Sequence, residues 1–241
     1  KASFNNQIGI LSVQANLHLH AEPAPAFIVF PSLLEGAIKS LGSLEENLSQ
    51  APERAGVAKV VMQSTFSSLN GKINNLAAED TIALAKNLAA SAISQLDNAG
   101  LGAEHLTTGS GEITAGALNA LRSAGFTEEQ GLTAAQAVLT GVVGKLPSDS
   151  AYFPAALNRT CFTGVSLIAK FVDTQASTAV GSLAAASVAG LKDLSIETTQ
   201  VASMMKQVSS GSVAALGLAG LTGSAINTAL QSITSESLSA V

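Results

Sequence analysis

Side chains that perform chemistry are almost missing from this chain: three His, one Cys, one Tyr and no Trp in 241 residues. Acid-base catalysis, nucleophilic attack and metal chelation draw on these types, so neither an enzyme nor a cofactor is the expected reading. Charge is scarce as well, at 12%, roughly half the usual share for a soluble domain. The net charge is −5, from 12 Lys plus Arg against 17 Asp plus Glu, and no cluster of basic residues occurs. Nucleic acid and anionic membrane surfaces both require a concentrated positive patch, so neither is an expected partner. The lone cysteine, Cys161, excludes an internal disulfide framework. It reads as a small buried apolar residue, the alternative being a bridge to another molecule if it is exposed.

Aromatic residues make up 4% of the chain against 47% apolar, so the core must be built from Ala, Leu, Val and Ile. Alanine buries little area, and at ~25 cal/mol per Å² each of its contacts is worth less than one of Leu or Phe. Stability then has to come from many close approaches between thin helices.

The first thirty residues differ from the rest. From Gly9 to His20, Leu11, Val13, Ala15, Leu17 and Leu19 alternate with Ser12, Gln14, Asn16, His18 and His20, a strand pattern without a partner strand downstream. A lone strand is not stable, so this arm is expected to lie across the helices or to add to another molecule. Pro23, Pro25 and Pro31 enclose Phe27, Ile28, Val29 and Phe30, which predicts a stiff extended segment. Residues 1–31 are therefore expected to form an extended arm and 32–241 a helical domain, with candidate subdivisions near 100–112 or 146–154.

Helical signals begin at Ser32. Capping-box spacing occurs at Ser32 with Glu35, Ser43 with Glu46, and Thr127 with Gln130. Pro52 suits a first helical turn, and Asp80 reads as a cap ahead of a narrow apolar stripe of Ile82, Ala85, Ala89, Ala92, Ile93 and Leu96. Helix ends are predicted at Asn70-Gly71, Asp97–Gly100, Gly125 and the Pro147 region, with Gly100–Glu112 as the clearest loop. The fold class is all-α: a bundle of about eight small-residue helices with a strand-like or extended N-terminal arm. No repeat of fixed period stands out, although Ile113–Leu139 and Gly181–Val208 look loosely alike.

Glycine inside helices is the most unusual local feature. Gly217, Gly220 and Gly223 recur at three-residue spacing, Gly141 and Gly144 do likewise, and Gly164, Gly181 and Gly190 interrupt another helical stretch. An interior Gly costs roughly 0.5–1 kcal/mol relative to Ala, and the offsetting gain is close backbone approach, within one molecule or between molecules.

Other groups carry weaker signals. His18 and His20 share a strand face, but a third metal ligand would have to come from His105, Cys161 or Glu22, so no metal is expected. His105 is the only histidine outside the arm, and no nucleophile-elbow motif surrounds any serine. Glu45-Glu46, Glu79-Asp80 and Glu128-Glu129 fall where first helical turns favour negative charge. Met204 and Met205, with Phe162 and Phe171, read as core or as the lining of an apolar cavity. The uncharged run from Gln207 to Ser235 is interrupted by polar residues and does not read as a membrane span.

The chain opens on Lys1 rather than Met and carries the sequons Asn47-Leu48-Ser49 and Asn158-Arg159-Thr160, which leads to the expectation of a processed, secreted protein with glycans at Asn47 and Asn158. In bulk composition, residues 32–241 are similar to the helical modules of silk proteins such as spidroins, which are also rich in Ala, Ser, Gly and Leu and poor in aromatics. That resemblance implies a structural role. The leading expectation is a non-enzymatic, secreted protein that binds copies of itself in an extracellular filament, fibre, matrix or coat. The arm residues Leu11, Val13, Leu17, Leu19, Phe27, Ile28, Val29 and Phe30 and the glycines Gly217, Gly220 and Gly223 are its candidate contacts. The alternative is a helical carrier enclosing an apolar ligand such as a lipid or pigment.

Overall fold

Three helices end on the same six-residue pattern, Leu-X-X-Ala-Gly-Leu/Phe: Leu96–Leu101, Leu121–Phe126 and Leu216–Leu221. In each, the glycine takes positive φ (Gly100 +66°, Gly125 +90°, Gly220 +76°), and the residue after it donates its amide back to the carbonyl of the leading leucine. This is the Schellman closure, which satisfies carbonyls left free at a helix end. The Leu, the Ala and the final Leu or Phe of all three patterns are buried, so each turn also seals an edge of the core.

The computed structural model describes residues 23–44, 50–70 and 75–240. Among them are nine α-helices and no strand: α1 (Pro23–Lys39), α2 (Ala51–Ser67), α3 (Ala78–Ser94), α4 (Leu106–Ala120), α5 (Glu128–Val143), α6 (Phe153–Ser166), α7 (Ala176–Leu191), α8 (Thr198–Ala214) and α9 (Ser224–Ser239). The all-α class is thus as expected, while the strand pattern at Gly9–His20 lies outside the described residues. The capping box at Thr127 is present in both directions, with Gln130 N–H on the Thr127 hydroxyl at 3.3 Å and Thr127 N–H on the Gln130 side-chain Oε1 at 3.1 Å. Pro52 occupies the first turn of α2 as predicted.

Several local expectations are corrected. Residues 23–31 are the first half of α1 rather than an extended segment. Two of the prolines stand in the first turn, where the missing N–H costs nothing, and the interior Pro31 is tolerated because Phe30, Leu34, Ile38 and Leu41 form a fully buried stripe at helical spacing. Ser32 is consequently inside a helix and not at its start, and Asp80 sits in the first turn of α3 behind an Ala77 N-cap. The predicted loop 100–112 is a turn followed by helix from Leu106, with Gly109 and Gly111 inside α4. Those glycines leave room for Leu96 and Leu101 and for the Arg159 side chain.

Each helix packs most extensively on the helix two places along, not on its chain neighbour. Hence α1, α3, α5, α7 and α9 form one layer and α2, α4, α6 and α8 the other, the stacking principle of helical-repeat arrays. The end of α2 meets the end of α4 through Ser67 and Ser123 (2.9 Å), and Arg122 beyond α4 donates to the Lys170 carbonyl beyond α6 (2.7 Å). Helices of one layer therefore run parallel. From α3 onward, that layer starts a new helix every 48–50 residues. One hydrophobic cluster runs from Phe30 to Ile233 with no break at 100–112 or 146–154.

Four of the seven in-layer crossings share one device. Gly116 of α4 lies on the Lys59 carbonyl of α2, Gly141 of α5 on Lys86 of α3, Gly190 of α7 on Thr140 of α5, and Gly211 of α8 on Asn158 of α6. A Cβ at any of the four would stand under 3.0 Å from that carbonyl oxygen. All four glycines fall within four residues of their helix's end. The reading of helical glycine as packing inside one molecule holds at these positions. Close approach also buries hydroxyls, which Thr65, Thr114 and Ser187 satisfy on carbonyls of their own preceding turn at 2.8–3.1 Å.

Candidate association surface

The structure divides the residues singled out in the sequence. Leu11, Val13, Leu17, Leu19, His18, His20, Glu22, Asn47 and Glu45-Glu46 lie outside the described residues. Phe27 and Ile28 belong to α1, and the description stops short of their side chains. Val29 is half-buried, while Phe30 is a core residue and is removed from the candidate contact surface. Gly217, Gly220 and Gly223 are not inside a helix but in the turn between α8 and α9, where positive φ at Gly220 and Gly223 requires them. That same turn splits the uncharged run 207–235, and no described helix is long and apolar enough to cross a membrane.

Cys161 is enclosed in the core, and burial pushes its thiol up to about 12, with Ser187 opposing the shift only in part. A bridge to another molecule would require α6 to open, so the buried reading of this residue replaces the disulfide alternative. Asn158 Nδ2, the atom a glycan would occupy, donates to the Gln207 carbonyl of α8 at 3.2 Å. A glycan there would displace α8. His105 Nε2 lies 3.5 Å from the exposed Glu104 carboxylate at the head of α4, on the surface, whereas Cys161 is wholly covered. Among the described residues no group of three His, Cys, Asp or Glu is placed to hold a metal ion.

Two clefts bear on the carrier alternative. One, of about 190 Å³, lies between α7 and the start of α8 and is lined by Val188, Leu191, Leu194, Ile196 and Val201, with Lys192. The other, of about 270 Å³, is bounded by Leu121, Phe126, Phe171 and the polar groups Arg122, Glu128 and Asp173. Both fall below the roughly 300–1,000 Å³ of sites that enclose a small molecule. Met204 is buried and Met205 half-buried, consistent with core packing.

The polar edge of the second cleft ties successive helix pairs together. Glu128 Oε1 accepts from the Asp173 and Thr174 amides at 2.9 Å each and from the Thr174 hydroxyl at 3.0 Å, while Arg122 pairs with Asp173. The Thr174 amide foremost, then its hydroxyl, the Asp173 amide and the Arg122 charge hold the Glu128 carboxyl below its ordinary 4.5. A depressed carboxylate stabilises the fold above its ordinary value, and that contribution is lost as pH falls through the lower folded value. Glu128→Gln is therefore expected to lower the melting temperature at pH 6, with the difference from wild type shrinking steadily below about pH 4.5 in a thermal scan series.

The remaining feature is the pair of array ends. On α1 the face turned away from the buried stripe carries Leu33, 40% exposed, the exposed Lys39, and Gly36, whose Cβ position has no described atom within 4 Å. On α9 the outward face is Asn227, Gln231, Thr234 and Leu238, with no ionised group, and Leu238 is 65% exposed. Leu218, in the preceding turn, is 66% exposed.

Fold and ends together define a two-layered array of stacked helices whose last helix presents an outward face without an ionised group. No protein-family model matches the chain, and no curated protein matches it.

Proposed function

We propose that the protein is a non-enzymatic, secreted structural protein that associates with copies of itself into an extracellular filament, fibre, matrix or coat. The observation that supports this reading most is the chemistry of the array ends. Arrays that stay monomeric close their terminal units with polar faces. Here the last helix sets the exposed Leu238 and no ionised group among the polar Asn227, Gln231 and Thr234 of its outward face, and the first exposes Leu33 beside a glycine that no described atom approaches. Low charge over the whole chain removes the repulsion that would hold copies apart.

Light scattering coupled to size exclusion tests this directly. The expected mass is a multiple of the 24.1 kDa chain that rises with concentration. A mass fixed at one chain across the accessible range would overturn self-association. Because α1 begins at Pro23, removing residues 1–22 separates the arm's part from that of the helical ends.

A further inference from the structure

Taking self-association as given, we propose that copies join head to tail, α9 of one copy seating against α1 of the next so that Gly36 receives a backbone carbonyl of the incoming helix. Within the chain, a glycine near the end of a helix repeatedly seats on a carbonyl of the helix before it in the same layer: Gly116, Gly141, Gly190 and Gly211. Gly36 stands three residues from the end of α1, as Gly211 stands three from the end of α8. Alone among these five glycines, it has no described residue seated on it.

The occupant follows from the layering. α1 and α9 belong to the same layer, so a second copy placed beyond α1 continues that layer with its α9 and the other layer with its α8, beside α2. No helix has to change layer or direction. The chemistry also continues an existing interface. The α7–α9 crossing sets Gly181 against Ser232 and is fastened by the Ser232 hydroxyl on the Thr178 carbonyl at 3.0 Å. The outward face of α9 offers side chains of the same kind: Thr234 with Asn227, Gln231 and the exposed Leu238. Opposite it, α1 presents Leu33 one turn before Gly36 and the exposed Lys39 one turn after, with Ser40 just beyond the end of the helix. Such a contact joins two different faces and does not close on itself, so it generates a linear polymer.

Cysteine cross-linking tests the contact and its polarity. Gly36→Cys is combined in turn with Gln231→Cys, Thr234→Cys and Leu238→Cys and oxidised mildly at a concentration where the wild type associates. Cys161, enclosed and with its thiol at about 12, gives no background. A ladder of covalent multimers is expected from at least one double variant, with each single variant giving less than about a tenth of that yield. Leu238→Lys is expected to weaken association at least tenfold with helical circular dichroism unchanged. Dimers from Gly36→Cys alone would mean a face-to-face contact and overturn the proposal. A ladder that appears only after residues 1–22 are removed would overturn it too, by placing the arm over α1. Association of the wild type with no ladder and no effect of Leu238→Lys would overturn the head-to-tail contact while leaving self-association standing. A strictly monomeric wild type would overturn both.

Discussion

Gly141→Ala is expected to destabilise the fold by about 2–3 kcal/mol, whereas Gly36→Ala is expected to stabilise it by about 0.5–1 kcal/mol. Both substitutions add one methyl group near the end of a helix in the same layer. At Gly36 the new Cβ meets no described atom, so the gain in helix propensity and the smaller entropy of the unfolded chain act alone. At Gly141 it would overlap the Lys86 carbonyl oxygen and stand 3.2 Å from both the carbonyl carbon and Cα of that residue. Every one of those atoms is backbone, so no side chain can rotate away, and α3 and α5 must separate. Separation thins the contacts along the whole crossing, because an alanine-rich interface has few long side chains to fill the gap. For a chain of this size each kcal/mol moves the melting temperature by about 2–4 °C, so Gly141→Ala should melt about 5–10 °C below wild type. Thermal circular dichroism at a dilution where scattering shows single chains makes the comparison. A melting temperature of Gly141→Ala at or above that of wild type would refute the seating of helix on helix through glycine.

Much of the local structure was legible in the sequence, and the layering was not. The Thr127 capping box, the turns at Gly100 and Gly125, and the stripe Ile82, Ala85, Ala89, Ala92, Ile93 and Leu96 all formed where residue type and spacing placed them, with Ile82 only half-buried. Each depends only on neighbours within a turn or two. The stripe nevertheless missed Leu84 and Leu88, buried because α3 is packed from two sides by its layer neighbours. Pro31 misled in the opposite way: it hid the stripe Phe30, Leu34, Ile38 and Leu41, whose burial outweighs one lost helical hydrogen bond.

The repeat was hidden for a physical reason as well. The pattern Leu-X-X-Ala-Gly-Leu/Phe closes α3 in one layer but α4 and α8 in the other, so its glycines fall at 100, 125 and 220, without a period. Comparing those three hexapeptides would have moved Gly217 and Gly220 out of a supposed helix and into a turn. The two segments that look alike, Ile113–Leu139 and Gly181–Val208, are in opposite phase, the first crossing from α4 to α5 and the second from α7 to α8. As for the candidate surface, Phe30 is apolar because it is core, while Leu238 and Gly36 drew no notice because exposure is a property of the fold.

Phe66→Ala should cost about 4–5 kcal/mol and Phe171→Ala about 3 kcal/mol, although both rings are among the largest enclosed side chains of the core. The difference lies in what surrounds the vacated space. Phe66, in the last turn of α2, is covered completely, so its loss leaves a closed apolar void that water does not fill. Phe171 borders the 270 Å³ cleft with Leu121 and Phe126, and solvent or a shift of the Gly131 backbone beside it can take up part of the volume. The array adds a second expectation. Stability in a stack is close to a sum of nearest-neighbour terms, so damage at α2 should spread first to α4, on which it packs, and scarcely to the far end. Hydrogen exchange on Phe66→Ala should therefore show protection falling in α2 and α4 while α7 and α9 keep theirs. Loss of protection to the same extent in all nine helices would mean that the layers melt as one body, and that the single core cluster from Phe30 to Ile233 governs stability more than the pairwise crossings do.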